Sequence, residues 1–504
     1  MPELSAAAGG PDVLLPPGSA AQREALEAAR RLLGPQRVRL AGAEQDPGRL
    51  LGPNASLFRS RRVAAVLRPS GAEQVPALVE LFSRSTESGG LHVISTGRNW
   101  GLGSREPAQD DVVVLDLGDL DRVRELDVDA GWAVVEPGVT QGHLSRLLAH
   151  TPRMANVTVS AAATSILGNA LDRGVALRGQ RTEDLVGLEV VLPGGESVTV
   201  GWWPSGERTA PVYPHGLGPS TLPLFVQSNL AVVTAAAIRL PARPEALRVV
   251  RLSFPPAALA EATDAVRRLV AQGLTRGVPR IFDAAAGRAY GGAEDEYLVH
   301  LPVDGTAESV EALTKILTAE AHRARVFTAI SDSDATDTAT PHHEVARLVE
   351  RGYAGDPDLA DTVFRTKMGV GADQVDSEAG FAFFLPLIPF SGKAVARASR
   401  LLDDVVAATG VRLSATLHLL SGDLIDCVVA MKFPRHGEAA ARAHRALDLL
   451  HGSFAEAGFP PYRLDIDHAD RRDATACDPG ALALTRRLKA VLDPNGALAP
   501  GRYR

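Results

Sequence analysis

Residues 93–103, VISTGRNWGLG, constrain the fold more than any other stretch of the chain. They read as a buried strand that stops at Thr96-Gly97 and opens into a glycine-rich loop. Gly97, Gly101 and Gly103 free the backbone to take φ > 0 and to approach a ligand closely. Successive backbone N–H groups in such a turn form a concave nest that holds an anion such as a pyrophosphate. Ser95, Thr96 and Asn99 add short polar side chains able to fix the same oxygens. The spacing G-x-x-x-G-x-G is not the dinucleotide fingerprint G-x-G-x-x-G, and no G-K-[ST] follows to make a P-loop. A purely structural turn would use the same glycines, so the surroundings decide between the two readings.

Those surroundings are ordered. An apolar strand, RVAAVLRP at 62–69, precedes a helix with Val75, Leu78, Val79, Leu81 and Phe82 on one face. The glycine loop follows, then a second strand over 112–117. Strands at 123–128 and 132–136 flank Asp129-Ala130-Gly131, which is a hairpin signal. Pro137-Gly138 breaks the pair, and Thr140 is placed to cap a helix running to about Ala149. This order resembles the flavin-binding domain of the vanillyl-alcohol oxidase and p-cresol methylhydroxylase family. The matching blocks are VISTGRNWGLG, the VVVLDL strand, VVEPGVT at 134–140, ILGNALDRGV at 166–175, EDLVGLEVVLPGG at 183–195, HGLGPSTLPLFVQSN at 215–229 and LDPNGALAPGR at 492–502. They span nearly the whole chain in the family's order. The resemblance implies an FAD-linked oxidoreductase that moves a hydride from a small organic substrate to flavin, with O2 or another electron acceptor reoxidising it. The alternatives are a flavoenzyme that performs an oxidative cyclisation or rearrangement, and a flavoprotein fold that has lost catalysis.

The bulk properties agree. The chain has 504 residues, enough for two or three domains. A net charge of −7 without a basic run argues against a nucleic-acid partner. Two cysteines, Cys427 and Cys477, give no disulfide framework, and with no secretory signal in view the expected location is cytoplasmic. The longest apolar run, over 230–238, is too short for a membrane span. The resemblance also implies a homodimer.

The expected fold class is α+β. A two-part flavin-binding domain of the p-cresol methylhydroxylase type occupies 1–243, with its core at 57–243. A substrate-binding cap follows at 244–478, with an antiparallel sheet covered by helices. A tail at 479–504 returns to the flavin domain. In the cap, amphipathic helices over 256–272, 306–322, 393–408 and 438–457 alternate with strands at 249–254, 297–301, 381–387 and 424–433. Residues 331–361 read as a polar loop.

By the resemblance, the cofactor contacts are Ser95, Thr96, Gly97, Arg98, Asn99, Trp100 and Gly101 in the loop, and Pro137 with Gly138 after the hairpin. They continue with Ser165, Leu167, Gly168 and Asn169 under the flavin, and with Asn229 and Val232 beside it. Asp184 is expected to act as a cap. The departures concern catalysis. In phenol oxidases of the family an aspartate acts near the flavin; nine positions before Asn169 this chain has Ser160. The phenolate-holding tyrosines and arginine align with Leu177, Gln180 and Ala483, so the clamp for a simple phenol is expected to be missing. The family's flavin-linking histidine aligns with Asp426 and Cys427, and His418 lies eight residues earlier. Non-covalent FAD is therefore the first expectation, with Asp426, Cys427 and His418 as anchors in that order. Asp426, Ser160 and His418 are the catalytic candidates. No metal motif occurs: His342 and His343 are adjacent, and neither H-E-x-x-H nor C-x-x-C is present.

Overall fold

The computed structural model describes residues 18–41, 50–98, 100–204, 211–334, 341–471 and 478–503. Asn99 and Cys477 lie outside the described residues. The described residues form three sheets. The first joins β1 (Val38–Leu40), β2 (Val63–Leu67), β3 (Leu91–Ile94) and β4 (Val112–Asp116) in the order β1-β2-β4-β3. β2, β4 and β3 run parallel. Parallel strands are covered on both faces, which is why β2 is apolar and buried throughout. Helices Ala20–Leu33 and Val75–Ser83 cover one face with Leu26, Leu78 and Phe82. The glycine loop leaves the carboxyl end of β3, where a parallel sheet presents ligand-binding loops.

The second sheet is antiparallel. It contains β5 (Val123–Asp127), β6 (Trp132–Val135), β7 (Leu185–Val191), β8 (Ser197–Gly201) and β9 (Val232–Arg239) in the order β5-β6-β9-β7-β8. The expected β5–β6 hairpin forms, and Gly131 turns it at φ +78. Thr140 caps helix Gln141–Leu148 by accepting the N–H of His143.

The third sheet is the cap. It holds β10 (Ala246–Phe254), β11 (Arg280–Phe282), β12 (Tyr297–Gly305), β13 (Ala329–Asp332), β14 (Gly380–Phe384), β15 (Leu387–Pro389), β16 (Leu413–Leu419) and β17 (Leu424–Phe433). The order is β13-β10-β12-β11-β16-β17-β14, with β15 on β17. Helices Leu259–Ala271, Ala307–Ala324, Gly392–Thr409 and Ala439–Glu456 pack on one face. Strand alternation sends Ile425, Cys427, Val429 and Met431 into that helical core. Asp426, Val428, Ala430 and Lys432 face the other way, into a cavity.

Several local expectations are corrected. The strand expected over 381–387 divides at Leu385-Pro386 into β14 and β15, because proline cannot donate to a ladder. The polar stretch 331–361 is not one loop. Its described parts include helix Pro341–Tyr353 and the start of helix Asp358–Met368, anchored by buried Leu348, Val349, Tyr353 and Leu359. Strands β11, β13 and β16 were not anticipated. At the end of the chain, helix Pro479–Leu492 is followed by a tail whose Leu498 bridges Leu91 of β3. Among the described residues, no helix is long and apolar enough to cross a membrane.

Candidate active site

One cavity of about 640 Å³ lies between the glycine loop and the bare face of the cap sheet. On the loop side, Ser95, Thr96, Gly97, Arg98 and Trp100 line it. Gly97 takes φ +66, and the N–H groups of Thr96, Gly97 and Arg98 have no partner among the described residues. Ser165 caps helix Ile166–Leu171 by accepting the Gly168 N–H, and its hydroxyl donates to the Pro137 carbonyl at 2.6 Å. Pro137, Ser165, Leu167, Gly168, Asn169, Asn229 and Val232 all reach the cavity wall. A Cβ on Gly168 would lie 2.3 Å from Ser95 Oγ, so the helix start and the loop close on each other only through glycine. Asn229 is held by donating to the Arg502 carbonyl at 2.8 Å.

Two expected loop contacts lie elsewhere. Gly101, at φ +85, turns away from the cavity and backs onto Phe383 of β14. Gly138 is a packing glycine: a Cβ there would sit 2.2 Å from the Gly118 carbonyl oxygen. Asp184 caps nothing. It accepts from Asn156 Nδ2 at 2.9 Å, and burial raises its carboxyl to about 7.

On the cap side, His418 and Asp426 are directly opposite each other on β16 and β17. His418 Nδ1 lies 3.1 Å from Asp426 Oδ2. Burial, with the Arg280 charge adding to it, lowers the His418 pKa to about 4, so the ring is neutral at pH 7. The carboxylate then selects the tautomer with hydrogen on Nδ1, which turns an Nε2 lone pair outward as an acceptor. Cys427 shares neither geometry nor chemistry with them. It is buried among the cap helices, and burial pushes its thiol well up, so the cysteine anchor is withdrawn. Ser160 lines the cavity within a hydroxyl chain, 2.7 Å from Thr158 Oγ1 and 2.6 Å from Thr164 Oγ1.

The positions aligned with the family's phenolate clamp, Leu177, Gln180 and Ala483, do not line the cavity. Leu177 is in the core, and Ala483 sits exposed on helix Pro479–Leu492. Other groups line the cavity instead: Tyr290, Lys367, Arg280, Tyr462 and Arg463. Arg463 pairs with Asp172 at 2.8 Å, and burial pushes the neighbouring Tyr462 hydroxyl pKa up. Lys367 Nζ lies 3.3 Å from the Tyr290 hydroxyl. The sequence signal for Arg280 was available, since an arginine interrupts the apolar run VPRIF, but three residues are too few to show a period. Outside the cavity, His451, Asp465 and His468 cluster in the cap. Asp465 lies 2.9 Å from each ring, and His468 Nε2 bonds Asp448, so the cluster satisfies itself as a charge network.

Residues 63–201 match a family model described as an FAD binding domain. The chain is 28% identical to 1'-carboxy-chondrochloren decarboxylase of Chondromyces crocatus, over 95% of this chain and 96% of that protein. It is 26% identical to the flavoprotein subunit of 4-cresol dehydrogenase [hydroxylating] of Pseudomonas putida, over 95% of each. A solved structure of p-cresol methylhydroxylase with substrate bound superposes with a TM-score of 0.85 at 24% identity, covering 96% of both chains. The cavity suits FAD by its own geometry. It offers an anion nest at 96–98 and a close approach of the loop to Gly168, where a Cβ would meet Ser95 Oγ.

Proposed function

We infer, from a chain that is an FAD-binding enzyme of the vanillyl-alcohol oxidase and p-cresol methylhydroxylase family, that it takes a hydride from a C–H bond next to oxygen or nitrogen in a small organic substrate. The observation that carries this reading is the single cavity shared by the nucleotide loop at 95–98 and the His418–Asp426 pair. Bound FAD supplies the hydride acceptor. The nest at 96–98 would hold its diphosphate, as successive backbone N–H groups at such a turn hold anions. His418 takes the proton of the substrate's O–H or N–H at Nε2, while Asp426 fixes the ring and stabilises its protonated form. Phe364, Phe381 and Phe383 give the cavity an apolar wall. Reoxidation by O2, a homodimer and a division into 1–243, 244–478 and 479–504 belong to the same proposal.

The cationic cap wall favours a second reading, oxidative decarboxylation, in which RCH2–CHR'–COO⁻ yields RCH=CHR', CO2 and a hydride. The C. crocatus relative, named a decarboxylase of a carboxy compound, supports it. Anaerobic mixing of the purified holoenzyme with a panel of aryl alcohols, phenols, amines and arylalkanoic acids tests both readings. Bleaching of the flavin band with the carbonyl product marks the first, and bleaching with CO2 release marks the second. A panel that leaves the flavin oxidised throughout refutes them.

A further inference from the structure

A row of polar residues crosses the cavity face of the cap sheet. Arg251 on β10 stands opposite His300 on β12, His300 opposite Arg280 on β11, Arg280 opposite His418 on β16, and His418 opposite Asp426 on β17. Residues directly opposite share a face, so all five point away from the helical core. Four have identifiable neighbours. Arg251 donates to the carbonyls of Tyr290 and Gly291. His300 packs edge-on against Phe282 and Tyr290. His418 and Asp426 bond each other.

Arg280 is the exception. It is 3% exposed. Its Nε is buried without a hydrogen-bond partner, as are Arg251 Nε, His300 Nε2 and Asp426 Oδ1 of the same row, but among the described residues of that row Arg280 alone has neither a hydrogen bond nor a ring contact from any of its other side-chain atoms. A guanidinium cannot shed its proton to escape that position, and an uncompensated buried charge is costly. Yet Arg280 lines the cavity that receives the substrate. Lys367, beside the Tyr290 hydroxyl, adds a second positive charge to the same wall. Arg463, the other buried arginine there, is already neutralised by Asp172.

We propose that Arg280, assisted by Lys367, is the subsite for a carboxylate carried by the substrate. The proposal rests on the oxidoreductase reading and names the substrate class within it. A planar guanidinium fork matches a carboxylate in a bidentate contact. Neutral His418 separates Arg280 from Asp426, so the bound carboxylate is shielded from the one acid of the row. Neighbouring strands lie about 4.8 Å apart. A carboxylate on Arg280 therefore places a carbon one or two bonds along the substrate beside the His418 ring. Uncharged phenols leave Arg280 unpaired and bind worse.

The test is calorimetric titration of the holoenzyme with sodium 4-hydroxyphenylacetate and with its neutral methyl ester. The wild type should bind the acid at least about tenfold more tightly than the ester, as a charge-assisted pair predicts. Arg280→Met should abolish that preference and leave ester binding unchanged, and Arg280→Lys should retain part of it. FAD content and near-ultraviolet circular dichroism establish that the variants are folded. If Arg280→Met does not fold, the wild-type comparison decides alone: ester binding as tight as acid binding overturns the subsite. An Arg280→Met protein that keeps the acid preference also overturns it. The two readings fail separately. Preferential binding of acids with no flavin reduction by any member of the panel retains the subsite and refutes the oxidoreductase reading. Reduction by neutral substrates with no acid preference does the reverse.

Discussion

Replacing Gly101 tests how the glycine loop and the cap are joined. Gly101 holds φ +85, and its carbonyl accepts the Phe383 N–H at 2.8 Å. A Cβ there would lie 2.4 Å from Phe383 Cδ2, far inside contact distance. In Gly101→Ala the left-handed backbone costs about 1–2 kcal/mol. Displacing the Phe383 ring costs about 1–3 kcal/mol more. The sum, about 2–5 kcal/mol, is a large part of the 5–15 kcal/mol that holds a typical fold together. The variant should fold, with a lowered urea midpoint and reduced FAD content. The decisive assay is a double-mutant cycle with Phe383→Ala, followed by urea unfolding at fixed FAD. Removing the ring relieves the steric part but not the dihedral part, so the two changes should couple by about 1–3 kcal/mol in the compensating direction. Strict additivity would refute the view that Gly101 acts through the cap. So would a Gly101→Ala protein with the wild-type midpoint, which would deny both costs together.

The purified protein should be yellow with FAD rather than FMN, and acid precipitation should release the flavin to the supernatant. Colour retained in the pellet would disprove non-covalent binding and direct peptide mass spectrometry to His418 and Asp426. His418→Gln should lower turnover by about 10²–10⁴-fold, the usual worth of a positioned base, with FAD affinity unchanged; turnover within about threefold of wild type would remove His418 from the mechanism. Acid should destabilise the fold. His92 and His418 titrate near 3 and 4 in the folded chain, and burial also lowers His300 and His451. Each therefore binds a proton on unfolding as the pH falls below about 6.5, at up to about 1.4 kcal/mol per pH unit. His468, whose pKa Asp465 and Asp448 raise, opposes this, stabilising below 6.5 and losing its contribution as the pH rises through its folded value. The buried carboxyls oppose it too, Asp184 raised to about 7 and Glu106, Asp116, Glu183 and Asp283 raised in the same direction, since each takes its proton first in the folded chain. The deep lowering of the fully buried His92, His300 and His418 sets the sign, so urea unfolding at pH 5 should show lower stability than at pH 7. Equal midpoints would contradict the burial argument.

Much of the fold was legible because it is local. The β5–β6 hairpin, the Thr140 cap and the cap helices were each written in turn chemistry or in apolar spacing over ten or more residues. What escaped was short or two-faced. β11 has three residues, and β16, LSATLHL, mixes Leu with Ser, Thr and His because one face packs on helices while the other lines the cavity. The site was half legible for the same reason. The loop at 95–98 announces itself through glycines, whereas Arg280, Tyr290 and Arg463 meet only when distant strands are placed in register. His418 and Asp426 appeared in sequence as rival anchors eight residues apart; the β16–β17 ladder makes them one unit.

The cap sheet explains how one flavin scaffold can serve unlike substrates. Strand alternation divides its residues between two tasks. Ile281, Leu417, Ile425, Cys427 and Val429 belong to the helical core, where a change of volume is felt as lost stability. Arg280, Thr416, His418, Asp426 and Val428 occupy the opposite face and line the cavity. Exchanges on that face alter charge and shape without opening holes in the core, so the lining of the cavity can change while the fold is kept. The burial of Arg280 and Asp426 limits this freedom. Removing Asp426 leaves His418 without the group that orients it. Removing Arg280 takes a positive charge from between two buried histidines, which should raise the pKa of His418 and His300, because the Arg280 charge now lowers both. Proton NMR titration of the imidazole resonances in Arg280→Met, compared with wild type, should find His418 moved upward from about 4 toward 6.5. An unmoved resonance in a folded variant would mean that the row does not act as one electrostatic unit.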